Sequence, residues 1–78
     1  MNDRIDGRIK YLNPDSEYGF IARKDGKADI FFSERSIADQ YYQPKVGDLV
    51  SFEIWRMRDG RSRAVEIELK KRPKWEML

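Results

Sequence analysis

Short segments of alternating apolar and polar residues, separated by turn residues, make up most of this 78-residue chain. β-Branched and aromatic side chains dominate these segments, and few stretches repeat with the period of a helix. The pattern predicts five strands, at residues 4–12, 18–23, 29–33, 49–56 and 62–69. Asp-Gly pairs predict hairpin turns at residues 24–27 and 58–61, and Ser33 is a candidate cap for a short helical turn within 33–40.

Five short antiparallel strands in so small a chain predict an all-β fold closed, or nearly closed, into a barrel. An open sheet of this size would leave its edges unpaired, and closure removes them. The length supports a single domain with a thin core. Alternation assigns these residues to that core: Ile5, Ile9, Ile21, Ile30, Phe32, Val50, Phe52, Ile54, Val65, Ile67 and Leu69.

The chain has no cysteine and no histidine. It therefore has no disulfide, no thiolate or imidazole metal ligand and no histidine-based catalytic triad. Glu66 and Glu68 are paired carboxylates, but they lie on the polar face of a predicted strand with no sign of a pocket. We expect no catalytic residue, no metal and no cofactor, and an enzyme is the least favoured function.

Charge is divided unevenly along the chain, although the formal total is only +2. Residues 1–55 carry 8 basic and 10 acidic side chains, whereas residues 70–78 carry four basic side chains and one acidic. A basic end is either a solvated tail or an attraction for phosphates. No run of about 18 apolar residues predicts a membrane span, and the first residues lack the apolar stretch of a signal peptide, so we expect a cytoplasmic protein.

The second and third predicted strands carry aromatic residues on both faces. Tyr18 and Phe20 alternate with Ile21, and Phe31 lies opposite Phe32. Since no second layer is predicted to cover the outer rings, they are a candidate binding surface. The alternative is that Tyr18, Phe20 and Phe31 stack on one another under a loop and serve stability alone.

Several segments, in order and with nearly matched spacing, resemble cold-shock domains. Residues 7–14, GRIKYLNP, are similar to the family's opening G-x-V-K-W-F-N-P. Residues 18–21, YGFI, match its first ribonucleoprotein motif, and residues 29–32, DIFF, look like the start of the second. Residues 46–53, VGDLVSFE, and 63–67, RAVEI, are similar to its last two strands, so the resemblance covers about residues 5–69.

The resemblance implies a five-stranded OB-fold domain at residues 1–69, followed by a basic tail at 70–78. The family binds single-stranded RNA and DNA with little sequence preference, which also implies RNA-chaperone-like activity. It implies that bases stack on Tyr11, Tyr18, Phe20 and Phe31, with Lys10 near the nucleic-acid backbone. A ring of the long loop, Tyr41 or Tyr42, would stack a further base. Arg63, on the outer face of the closing strand, is a candidate phosphate contact.

The chain departs from the family pattern at the predicted binding face. Tyr11 and Leu12 replace the usual Trp and Phe, and Ser16-Glu17 replaces Lys-Gly. Ser33 and Glu34 stand where the second motif has His and Phe, although Ser33 is also explained as a helix cap and Glu34 as a solvated acid. Lost rings and added carboxylates predict weaker nucleic-acid binding than is typical of the family.

These departures leave a second function open, a protein–protein interaction module or homodimer built on the same barrel. The same aromatic patch would then contact a protein partner or a second copy of the chain. Trp55 is predicted on the outer face of the fourth strand. Trp75, in the tail, could pack on an apolar patch, stack on a base or contact a partner.

Overall fold

A computed structural model describes residues 4–73 of the chain. Every strand that alternation predicts is present, with small shifts of its ends. The strands are β1 (Ile5–Leu12), β2 (Tyr18–Arg23), β3 (Ile30–Ser33), β4 (Leu49–Arg56) and β5 (Ser62–Lys71), with a 3-10 helix at Glu34–Ser36 between β3 and β4.

The five strands form a closed barrel in the order β1-β2-β3-β5-β4. This confirms the all-β OB-fold, with one difference from the predicted antiparallel arrangement. β3 and β5 run parallel and meet at Phe31 and Arg63. The reason is geometric, because an odd number of strands closed into one ring cannot alternate direction at every pair.

The core follows the predicted alternation on β2, β3 and β4. Ile21, Phe32, Val50 and Phe52 are fully buried. Ile5 and Ile54 are partly buried against this cluster. The buried hydrophobic residues within 4–73 are Ile9, Ile21, Ile30, Phe32, Tyr42, Val50, Phe52, Ala64 and Ile67.

The predicted core positions on β5 are wrong at two of three residues. Ala64 and Ile67 point inward, whereas Val65 is only partly buried and Leu69 is 36% exposed. The register between β4 and β5 shifts twice, and Glu66 lies in the left-handed region with φ of 50°. Each shift adds one residue to β5 and reverses the faces of the residues that follow it.

The ends of the short helix and of β5 also differ in detail from the prediction. Ser33 caps the helix, its Oγ accepting a hydrogen bond from the Arg35 amide at 3.1 Å. β5 continues to Lys71, past residue 69 where the predicted domain ends. Lys74 and Trp75 lie outside the described residues, and within 4–73 no helix is long and apolar enough to cross a membrane.

Candidate functional site

Four aromatic rings lie together on the outer surface of β1, β2 and β3. Tyr18 stacks on Phe31 at a centroid distance of 5.9 Å and an interplanar angle of 27°. Phe20 meets Phe31 edge-on, also at 5.9 Å, and Tyr11 lies 6.3 Å from both Tyr18 and Phe20. We call Tyr11, Tyr18, Phe20 and Phe31 the aromatic face.

The aromatic face is packed within itself and still open to solvent. Tyr11, Tyr18 and Phe20 are 44%, 39% and 37% exposed, and Phe31 is half-buried. Ring contacts of this kind contribute about 0.5–1.5 kcal/mol each. The rings therefore do stabilise one another, but no loop within residues 4–73 buries them, so their faces remain available to a ligand.

A β-bulge turns Tyr11 outward. Ile9 pairs with Ile21 and Tyr11 pairs with Phe20, so Lys10 is an extra residue between the two pairs. Strict alternation would place Tyr11 on the same inner face as Ile9. The bulge reverses that parity and places the Tyr11 ring on the outer face, a position that the strand pattern does not indicate.

Asn13 fixes the start of β2 and thereby the position of Tyr18. Its Oδ1 accepts hydrogen bonds from the backbone amides of Glu17 and Tyr18 at 2.7 and 3.1 Å, and the residue is buried. The sequence analysis predicts a turn here but assigns Asn13 no part in the site. The signal is an asparagine at the head of a turn, where its side chain commonly binds nearby backbone amides.

Gly19 lies directly beneath the aromatic face. A Cβ atom at this position would overlap the backbone oxygen of Tyr11 and come within 2.8 Å of Phe32 Cε1. The absence of a side chain lets β1 approach β2 closely and lets Phe32 fill the barrel below. Gly19 thus sets the spacing between the strands that carry Tyr11, Tyr18 and Phe20.

Arg63 borders the aromatic face on the β5 side. Its guanidinium carbon lies 5.5 Å from the centroid of the Phe31 ring, within the range of a cation–π interaction. Its Nε is buried and has no hydrogen-bond partner among the described residues. The side chain is therefore held against Phe31 by its ring contact, at one edge of the aromatic face.

The sequence profile of the family described as the "Cold-shock" DNA-binding domain matches residues 5–70. The chain belongs to the cold-shock domain family. It is 35% identical to cold shock protein 1 of Arabidopsis thaliana over 65 residues, which are 82% of this chain but only 22% of that protein. It is 34% identical to cold shock-like protein CspA of Shewanella violacea over 55 residues, which are 69% of this chain and 79% of the relative.

A solved structure gives the same fold. The structure titled "drosophila Unr CSD456" superposes with a TM-score of 0.77 and covers 94% of this chain and 29% of its own. Only 22% of the aligned residues are identical. The cold-shock barrel is thus retained at a sequence identity too low to carry over details of the surface.

The charges around the aromatic face of this cold-shock domain are unevenly placed. Glu17 and Glu34 are both exposed and joined by a backbone hydrogen bond of 2.9 Å, at the corner beside Tyr18. Lys10, which the family resemblance places near a nucleic-acid backbone, forms an ion pair with Asp29 at 2.9 Å, although its side chain stays 62% exposed.

The opposite edge is basic. Arg56, Arg58 and Arg61 are exposed around the β4–β5 hairpin. Arg61 pairs with Asp59 at 2.7 Å, whereas Arg56 and Arg58 form no ion pair with another residue of 4–73. An anionic ligand on the aromatic face is therefore attracted toward the hairpin and repelled from the Glu17–Glu34 corner.

The two tyrosines of the long loop have different environments. Tyr41 is 84% exposed. Tyr42 belongs to the core and its hydroxyl donates a hydrogen bond to the buried carboxylate of Asp48. The prediction that Tyr42 could stack a base is wrong, because its ring is covered, and Tyr41 is the remaining loop candidate.

Asp48 organises this side of the domain. Its carboxylate, fully buried, also accepts from the Lys45 amide at 3.0 Å and from Arg72 Nη1 at 3.2 Å. Arg72 lies 5.4 Å above the Tyr42 ring. These contacts tie the loop to the chain just after β5, a role for Asp48 and Arg72 that the sequence patterns do not indicate.

Burial and the hydrogen bond to Asp48 raise the pKa of Tyr42 well above its ordinary value near 10. Because the folded-state pKa is raised, only the unfolded chain ionises at Tyr42 as the pH passes about 10. The stabilisation is therefore fully present below about pH 10 and is lost progressively above it. The free energy of unfolding of the unaltered domain should therefore fall by about 1.4 kcal/mol between about pH 9 and pH 11 through this group, and Tyr42→Phe should not show that fall. Urea unfolding at both pH values measures it.

The matched control is Tyr41→Phe, which removes the hydroxyl of the exposed neighbour and should keep the alkaline loss of the unaltered domain. Equal loss in Tyr42→Phe and Tyr41→Phe would contradict the assignment of this alkaline sensitivity to the Tyr42–Asp48 pair.

Proposed function

We propose that this cold-shock domain binds single-stranded RNA or DNA by stacking bases on the aromatic face. The observation that carries the proposal is the set of four clustered rings, open to solvent on one side of the barrel. Every base has a π-face, and stacking on an aromatic side chain contributes about 1–3 kcal/mol per base. Stacking reads no base edge, so the expected sequence preference is small.

The charge distribution supports a modest affinity. Glu17 and Glu34 repel phosphates at one corner, and Lys10 is partly neutralised by Asp29. Arg63 and the arginines of the β4–β5 hairpin supply attraction at the other edge. We therefore expect binding weaker than is typical of cold-shock domains.

The proposal also gives the protein a role. A protein that binds only single strands shifts weak RNA hairpins toward their open form by mass action, as an RNA chaperone does. This requires no catalytic residue, and we propose that it takes place in the cytoplasm.

Binding should depend on salt and on strandedness. A labelled oligothymidine titrated at about 50 and 200 mM salt should show a log–log slope of about −0.7 for each phosphate contacted. With about three contacts, affinity falls roughly 20-fold over that range. Fluorescence anisotropy measures both dissociation constants.

The control is a duplex of matched length, whose bases are stacked on one another and closed to the aromatic face. It should bind far more weakly than the single strand at either salt concentration. Undetectable binding of the single strand at low salt, or equal affinity for the duplex, would contradict the proposed function.

A further inference from the structure

A row of directly paired residues crosses all five strands of the barrel. Tyr11 pairs with Phe20, and Phe20 pairs with Phe31. Phe31 pairs with Arg63, and Arg63 pairs with Trp55. Directly opposed residues of neighbouring strands project from the same face. Trp55 therefore lies on the same outer surface as the aromatic face, with Arg63 between them.

Trp55 is 61% exposed, more than any ring of the aromatic face. It forms no ring–ring contact with another aromatic residue of 4–73, whereas Phe31 contacts both Tyr18 and Phe20. A large apolar ring left open beside an existing aromatic patch extends that patch. The fold thus presents a fifth ring in line with the other four.

The surface around Trp55 suits a polyanion. Arg63 precedes it in the row, and Arg56 and Arg58 are exposed on the adjoining hairpin. A shallow recess of about 240 Å³, lined by Phe31, Met57, Arg61, Ser62 and Arg63, leads from the aromatic face toward that hairpin. Arginines that alternate with rings match the phosphates and bases of a nucleic-acid strand.

We propose that Trp55 is a further stacking site for the same single strand, one that binds a base beyond the base on Phe31. Arg63, placed between the two rings, contacts the intervening phosphate. This inference rests on the proposed function and adds the path of the nucleic acid over the barrel, which runs from Tyr11 across β2, β3 and β5 to Trp55 on β4. The carboxylates of Glu17 and Glu34 lie at the corner away from the β4–β5 hairpin, and they disfavour a path by which the nucleic acid leaves the aromatic face at that corner.

The distance between β-strands separates the Trp55 site from the aromatic face. Phe31 and Trp55 are two inter-strand distances apart, roughly 10 Å. One base cannot stack on both rings over that distance. An oligonucleotide that covers only the aromatic face therefore ends before Trp55, whereas a longer one reaches it. The contribution of Trp55 to affinity should thus depend on oligonucleotide length.

The test compares oligothymidines of about 4 and about 8 nucleotides, near the lower range of OB-fold site sizes. Trp55→Ala should lower affinity for the longer strand about tenfold or more and change affinity for the shorter one less than about twofold. Trp55→Phe, which keeps a ring, should retain most of the affinity. Leu69→Ala removes an exposed apolar side chain away from the row and should change neither.

Fluorescence gives a second readout that does not depend on truncating the ring. Trp55 and Trp75 are the chain's two tryptophans, so Trp75→Phe leaves Trp55 as the only reporter. In that background the longer oligothymidine should quench the emission and the shorter one should not. Thermal unfolding of each variant shows whether the fold is retained.

The outcomes separate this inference from the proposed function. If Trp55→Ala binds the longer strand as tightly as the unaltered domain while Tyr18→Ala binds it more weakly, the Trp55 site is wrong and the aromatic face stands. Equal losses for both strand lengths would also contradict a separate site. Failure of the unaltered domain to bind either strand would overturn both proposals.

Discussion

Gly19→Ala should remove a large part of the stability of this domain. The added methyl group overlaps the Tyr11 carbonyl oxygen and crowds Phe32, and both belong to packed strands that cannot move independently. Overpacking costs up to about 3 kcal/mol, and occasionally more, when the neighbouring atoms cannot move away. A domain of this size has a free energy of unfolding of only about 4–12 kcal/mol, so a loss of about 3 kcal/mol removes roughly a quarter to three quarters of it.

The matched control is Gly26→Ala. Gly26 has φ of 82°, and a Cβ there would meet no atom within 4 Å. Its replacement therefore costs only the backbone strain of the left-handed region, about 1–2 kcal/mol. Urea unfolding compares the two variants, and a cost for Gly19→Ala no greater than that for Gly26→Ala would show that the close approach beneath the aromatic face is not required.

The double variant Tyr18→Ala/Phe31→Ala should lose at least roughly 30-fold in affinity for single strands, about 2 kcal/mol or more. These two rings form the stacked pair of the aromatic face, with centroids 5.9 Å apart. Because they contact each other, the combined loss should differ from the sum of the single losses. Anisotropy titrations with an oligothymidine, for both single variants and the double, measure that difference.

Two other exposed apolar residues provide the control for this loss. Val46 and Leu69 are 47% and 36% exposed and lie off the aromatic face. Val46→Ala/Leu69→Ala should leave affinity within about twofold, since neither side chain stacks a base. A comparable loss in both double variants would mean that general destabilisation, and not the rings, accounts for the weaker binding.

Strand alternation predicted the parts of the site that depend on regular pairing. Gly19 and Ile21 point inward and Tyr18 and Phe20 outward, as a period of two requires. Phe31 follows by the same rule on β3. The outer rings of β2 and β3 could therefore be recognised from the sequence without any relative.

Irregular pairing was not predictable in the same way. The bulge at Lys10 turns Tyr11 outward, and the shift near Glu66 buries Ala64 and turns Val65 away from the core. A bulge depends on how two strands fit against each other, and a single-strand pattern carries no record of its partner. Alternation applied to either strand therefore assigns the wrong face after the shift.

The loop shows a different limit. Tyr41 and Tyr42 are adjacent and chemically identical, so composition does not distinguish the exposed ring from the buried one. The difference lies in the buried carboxylate of Asp48, which accepts a hydrogen bond from the Tyr42 hydroxyl. The absence of catalysis and the cytoplasmic location stay predictions from composition.

The most direct measurement is the backbone-amide NMR spectrum of the domain during titration with an oligothymidine. If bases stack on the aromatic face, the largest shifts should occur on β1, β2 and β3 around Tyr11, Tyr18, Phe20 and Phe31, and extend to Arg63. The part of β5 around Leu69, which lies off the aromatic face, should change least. Largest shifts around Leu69, or an unchanged spectrum at low salt, would contradict the account.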